Sequence, residues 1–105
     1  MNQPLVSTSF ESFTAEAPAH CEAWLAAVQK LGAASALDQK TEHLAYLAVL
    51  AALRLESGIP FHTLLAKRAG ASRTEVISAL LVGLPAAGNG VIQGLPAALA
   101  AYDAT

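Results

Sequence analysis

A run of ten apolar residues, Leu44 to Leu53, constrains this chain more than any other feature. It reads LAYLAVLAAL. Alanine and leucine favour helix, and Val49 is the only β-branched residue in the run, so the spacing predicts a helix rather than a strand. A helix that is apolar all the way round has to be packed on every side. The run is also far shorter than the roughly 20 apolar residues that a bilayer requires. It therefore predicts a central helix in an all-α domain, with the other helices arranged around it.

The flanking residues set the limits of the elements. Asp38 is an N-cap candidate for the central helix, with Ser35 as an alternative, because a side-chain oxygen there accepts from a free backbone N–H. Ser57-Gly58 breaks the helix and Pro60 opens the next one, which carries His62 in the otherwise apolar segment IPFHTLLA. Lys67 and Arg68 close it as solvated charges near its negative end, and Gly70 is the expected left-handed stop. Ser72-Arg73-Thr74-Glu75 is a capping box, and a helix follows with Val76, Ile77, Leu80, Leu81 and Leu84 inward. A last helix is predicted over about 91–102. Gly-Leu-Pro-Ala-Ala occurs at 83–87 and 94–98, which an Ala/Leu/Gly-rich tail produces by chance.

Upstream, residues 1–15 read as an arm pinned by Phe10 and Phe13, and 16–105 as one helical domain. Pro18 suits the first turn of a helix running to about Leu31, where Gly32 ends it. Trp24, Val28 and Leu31 share one face of that helix, with Leu25 and Cys21 beside it. The sequence thus predicts five to six helices.

Composition bears on assembly. Of 105 residues, 54% are hydrophobic and 13% charged, against about 25% charged in an average soluble domain. Too few charges remain to coat a monomer, so the chain is expected to bury apolar faces against copies of itself. The formal net charge of -2 and the absence of a basic cluster give no electrostatic case for nucleic acid. The start MNQPLVSTSFESF does not read as a signal peptide, and a lone cysteine, Cys21, excludes an internal disulfide; a cytoplasmic location is expected. Histidines at 20, 43 and 62 have no metal-ligand spacing, and no cofactor motif appears.

From Leu37 onward the chain resembles the carboxymuconolactone decarboxylase family, within the wider AhpD-like fold. The residues that carry the resemblance are LDQKTEHLAYLAVLAAL, then His62, then AGASRTEV, then the helix through Gly88. It implies an all-α domain that assembles as a trimer, hexamer or dimer, with active sites near subunit contacts. One branch of the family resembles alkylhydroperoxidase or peroxiredoxin-like antioxidant enzymes, which use a CxxC pair with a glutamate and histidine relay. The equivalent positions here are Leu55 and Gly58, so the thiol chemistry has no nucleophile in that motif. The other branch is a lyase that decarboxylates a lactone dicarboxylate without a cofactor. It keeps the histidine, here His62. Its arginine, glutamate and second histidine fall at Leu55, Gly58 and about Gly94.

These readings nominate four residues. His62 is the acid/base candidate, since an unperturbed imidazole titrates near neutrality. Arg54 and Glu56 stand one or two positions from the family's polar sites, as a carboxylate anchor and an acid/base group at a cleft mouth; against this, one residue of shift turns a helical side chain by about 100°. His43 lies near the relay glutamate of the thiol branch. The function expected is cofactor-free proton transfer or decarboxylation on a small organic acid or lactone. The alternative is a non-catalytic binding or scaffolding oligomer of the same fold.

Overall fold

A computed structural model describes residues 6–104, and every regular element among them is helical. Seven α-helices follow one another: α1 (Thr8–Glu16), α2 (Pro18–Ala34), α3 (Gln39–Ala52), α4 (Ile59–Arg68), α5 (Arg73–Leu81), α6 (Leu84–Ala87) and α7 (Leu95–Ala104). Two 3-10 turns, Glu56–Gly58 and Asn89–Gly94, lead into α4 and α7. No helix among the described residues is long and apolar enough to cross a membrane.

The segment expected as an arm contains α1; residues 1–5 lie outside the described part. Ser7 caps α1 by accepting from the Phe10 N–H at 3.1 Å, and Phe10 meets Phe13 edge-to-face with ring centres 6.1 Å apart. The chain reverses at Ala17, and Pro18 opens α2 as expected. Gly32 does not stop α2, which continues to Ala34.

The body of the fold is α3 to α7. Asp38 caps α3, its Oδ1 accepting from the Thr41 N–H at 2.8 Å. Leu47, Leu50 and Ala51 of α3 pack against Ile59 and Ala66 of α4, Val76 and Leu80 of α5, Val91, and Ala98 of α7. The capping box at α5 is complete: Ser72 Oγ accepts from Glu75 N–H at 3.1 Å, and Glu75 Oε1 accepts from Ser72 N–H at 2.9 Å. Glu75 also pairs with Lys40 at 2.9 Å, joining the starts of α3 and α5. Gly70, at φ 100°, ends α4 in the left-handed region where glycine is favoured.

Other expectations change as well. The helix beginning at Arg73 ends at Leu81, not Leu84, because Pro85 has no N–H to offer the Leu81 carbonyl. The last helix begins at Leu95, not Val91, for the same reason at Pro96; the residues before it wind as a 3-10 turn. Both copies of Gly-Leu-Pro-Ala-Ala open a helix, proline falling in the first turn where its missing N–H costs nothing. Lys67 is not simply solvated: its Nζ donates to the Tyr102 carbonyl at 2.7 Å and lies 4.4 Å above that ring's centre. Tyr102 in turn donates to the Ala71 carbonyl at 2.8 Å, and Arg73 grips Asp103 through two contacts of 2.9 and 3.0 Å.

The α1–α2 hairpin stands apart from the body. Helix α2 packs on α1 and makes only slight contact with α3 to α7. Its one buried residue is Cys21. Trp24 is 56% exposed and Leu31 69%, with Leu25 and Val28 also open. Helix α3, expected to be covered on every side, shows Tyr46, Val49 and Leu53 outward.

Candidate functional site

His62 sits on the first turns of α4 and packs against α3. Its ring meets Tyr46 at 4.4 Å and Phe61 at 5.4 Å, both edge-on. Edge-to-face contacts of this kind hold a ring in a defined orientation. Burial among these neighbours holds the His62 pKa below the ordinary 6.5, and His43 pushes it the same way. Desolvation disfavours the imidazolium, and a second imidazole nearby disfavours it further.

The α3 residues around His62 follow from helical spacing. His43, Tyr46 and Leu50 recur at three and four residues, so they share the side of α3 that faces α4. Tyr46 is a residue that the sequence reading passed over, and its signal was its place one turn after His43. Gly58, one turn before His62, completes the surround: a Cβ there would meet Leu50 at 3.5 and 3.6 Å and His62 Cδ2 at 4.0 Å. The position that holds a thiol or carboxylate in the two family branches thus faces the His62 ring and here carries no side chain.

Arg54 and Glu56 form a separate group. Two backbone bonds end α3, Leu55 N–H to Leu50 O at 2.9 Å and Arg54 N–H to Ala51 O at 3.2 Å. They force Arg54 into the left-handed region at φ 61°, the only non-glycine described there. Its Nε donates to Glu56 Oε1 at 3.3 Å and its Nη2 to Gln93 Oε1. The guanidinium lies against Gly90, where a Cβ would stand 3.2 Å from Nη1. Gln93 is 39 residues from Arg54, and nothing local in the sequence marks the pairing. The four nominated residues are therefore two pairs, His62 with His43 and Arg54 with Glu56. Tyr46 lies in the middle of α3, whereas Arg54 lies past its last residue, Ala52.

Open grooves mark the described surface. One runs between α3 and α5, and two lie on the α1–α2 hairpin. None of these includes His62. Among the described residues no cluster of histidine, cysteine or carboxylate side chains is arranged to hold a metal ion.

Residues 18–105 match the carboxymuconolactone decarboxylase family. The chain belongs to that family. No curated protein and no solved structure matches it. As a carboxymuconolactone decarboxylase family member it departs from the expected polar set most sharply at Gly94, the approximate place of a second histidine. Gly94 is buried, and a Cβ there would stand 2.7 Å from Ile59 Cδ1 and 3.6 Å from Leu80 Cδ2. At Gly94 itself the space that a side chain would need is filled by the core.

Proposed function

We propose that this family member is a cytoplasmic homo-oligomer that carries out cofactor-free proton transfer on a small organic acid or lactone, with His62 as acid/base. The observation that carries the reading is the half-buried His62 ring, oriented by Tyr46 and Phe61 and held toward its neutral form. A neutral imidazole at pH 7 suits the base half of such chemistry. Once protonated, it is acid enough to return the proton to the carbon that CO₂ has left, taking up the electron pair of the broken C–C bond as a new C–H bond. His43, beside it, serves as the relay to solvent. Arg54, with Nη1 free of the Glu56 and Gln93 contacts, serves as carboxylate anchor, and Glu56 as its partner and as a second acid/base group.

The second reading is a non-catalytic small-molecule-binding or scaffolding oligomer. The filled space at Gly94 and the bare Gly58 favour it, because two of the family's polar positions have no side chain. A panel of lactones and small carboxylic acids, scored for both turnover and thermal stabilisation, separates the two. Turnover that disappears in His62→Ala, with helical content and assembly mass unchanged, is the expected result. Equal turnover in that variant overturns the assignment, and stabilisation without product favours binding.

A further inference from the structure

Proton transfer at a carbon beside a carbonyl puts negative charge on an oxygen. When the C–C bond to CO₂ breaks, its electron pair moves into the adjoining carbonyl and gives an enolate. The same enolate forms when a base removes a proton from that carbon. Protonation at carbon by the His62 imidazolium then returns the pair as a C–H bond and restores the carbonyl. Between these steps the enolate oxygen needs a hydrogen-bond donor, and a donor fixed in advance at that place contributes strongly to the rate. His62 is occupied with the proton. Arg54 stands in the other group, its guanidinium held by Glu56 and Gln93. Gly58 and Gly94 have no side chain to offer, and the Thr63 hydroxyl, next after His62, is fully buried.

Tyr46 has the missing group. The chain has two tyrosines. The Tyr102 hydroxyl is used within the fold, donating to the Ala71 carbonyl at 2.8 Å. The Tyr46 hydroxyl makes no hydrogen bond to a described residue, and Tyr46 is 42% exposed. Its ring is nevertheless held in place, edge-to-face with His62, the centres 4.4 Å apart and the planes at 87°. Helix α3 supplies the placement, since Tyr46 lies one turn after His43 on the side that faces α4. The phenol oxygen stands one bond beyond its ring, so a single small acid reaches it and the imidazole together. The His62 ring likewise makes no hydrogen bond to a described residue, so base and donor are both open to a ligand.

We propose that Tyr46 is a catalytic residue of this site: its O–H donates to the carbonyl oxygen of the substrate and holds the enolate that forms there, while His62 moves the proton. The inference rests on the proton-transfer reading of His62. It narrows the substrate to acids or lactones whose carbonyl adjoins the carbon that gains or loses the proton. An acid without such a carbonyl forms no enolate and gains nothing from the phenol.

4-Nitrophenolate carries the delocalised oxyanion of an enolate on a flat ring, and its colour reports binding. The full-length protein is expected to bind it, and Tyr46→Phe, which keeps the ring, is expected to bind it about ten-fold more weakly or worse, as for the loss of a hydrogen bond to a charged acceptor. Affinity for uncharged 4-nitrotoluene is expected to be equal in the two proteins, and Tyr102→Phe is expected to leave phenolate binding unchanged. A lactone or acid that turns over is expected to lose about 10²–10³-fold in kcat in Tyr46→Phe. Proton NMR of the His62 ring separates this role from packing. Its titration is expected to be the same in Tyr46→Phe as in the unaltered protein, and to move towards the ordinary value in Tyr46→Ala, where the ring is lost. The proposal is overturned by an unaltered protein that binds no phenolate, by equal phenolate affinity in Tyr46→Phe, or by a His62 titration that moves with the hydroxyl alone. Turnover unaffected by His62→Ala defeats the proton-transfer reading instead. Phenolate affinity is measured without turnover, so the two failures are told apart.

Discussion

Gly94→Ala is a sharp test of how the core is built. The added Cβ would stand 2.7 Å from Ile59 Cδ1, 3.6 Å from Leu80 Cδ2 and 3.9 Å from Ala51 Cβ. Optimal carbon–carbon contact is about 3.5–4.0 Å, so only the first is a clash. Ile59 and Leu80 are fully buried, and Ile59 has no solvent to retreat into. Overpacking of this kind costs about 1–3 kcal/mol, while losing glycine freedom in the unfolded chain returns about 0.4–1 kcal/mol. The net expectation is a loss of about 1–2 kcal/mol, or several degrees in Tm for a domain of this size. Urea unfolding at fixed protein concentration measures it. Ile59→Val removes the clashing methyl and alone costs about 0.5–1.5 kcal/mol. In the double variant the two losses should not add, with a coupling of about 1 kcal/mol or more. Gly58→Ala is the control: its Cβ meets neighbours at 3.5 Å or more in a right-handed helical backbone, so it should gain about 0.4–1 kcal/mol. A neutral or stabilising Gly94→Ala, or simple additivity with Ile59→Val, refutes the packing argument.

Three further outcomes are expected. The folded-state pKa of His62 is lowered, so its contribution to stability is fully present above 6.5 and is lost as pH falls through the folded value; urea midpoints from pH 8 to 5 should show this fall, and His62→Gln should flatten it. Arg54→Gly relieves a left-handed non-glycine and should raise stability by about 0.5–1 kcal/mol while weakening binding of small carboxylates; lower stability by thermal melt contradicts the strain. Tyr102→Phe deprives the buried Ala71 carbonyl of its hydroxyl donor at 2.8 Å and should cost about 1 kcal/mol by urea unfolding, with no cost if water replaces it freely.

The starts of α2 to α5 were legible in the sequence because each is set by one or two local residues, whereas the start of α7 was placed four residues early. Asp38, Ser72 with Glu75, Pro18 and Pro60 all act within a single turn, and Gly70 needs only its own φ. The capped start of α1 was local too, but Ser7 has no glutamate three residues on to mark it. The family resemblance was carried by contiguous motifs, and the match over residues 18–105 upholds it. His62 and His43 were legible as candidates by residue type.

What tertiary structure decided was which residues meet. Periodicity shows that Trp24, Val28 and Leu31 share a face, but the pattern is the same whether that face meets its own body or another molecule; here it faces outward. Arg54 meets Gln93, and Lys67 meets Tyr102, across gaps of 39 and 35 residues that carry no local signal. By the resemblance Gly94 stands at about the place of a second histidine, and only the packed Ile59 beside it shows that a side chain at Gly94 would clash. Local chemistry acts over one helical turn and is written in neighbouring residues; contacts across the core depend on how helices cross, which no short stretch of this chain encodes.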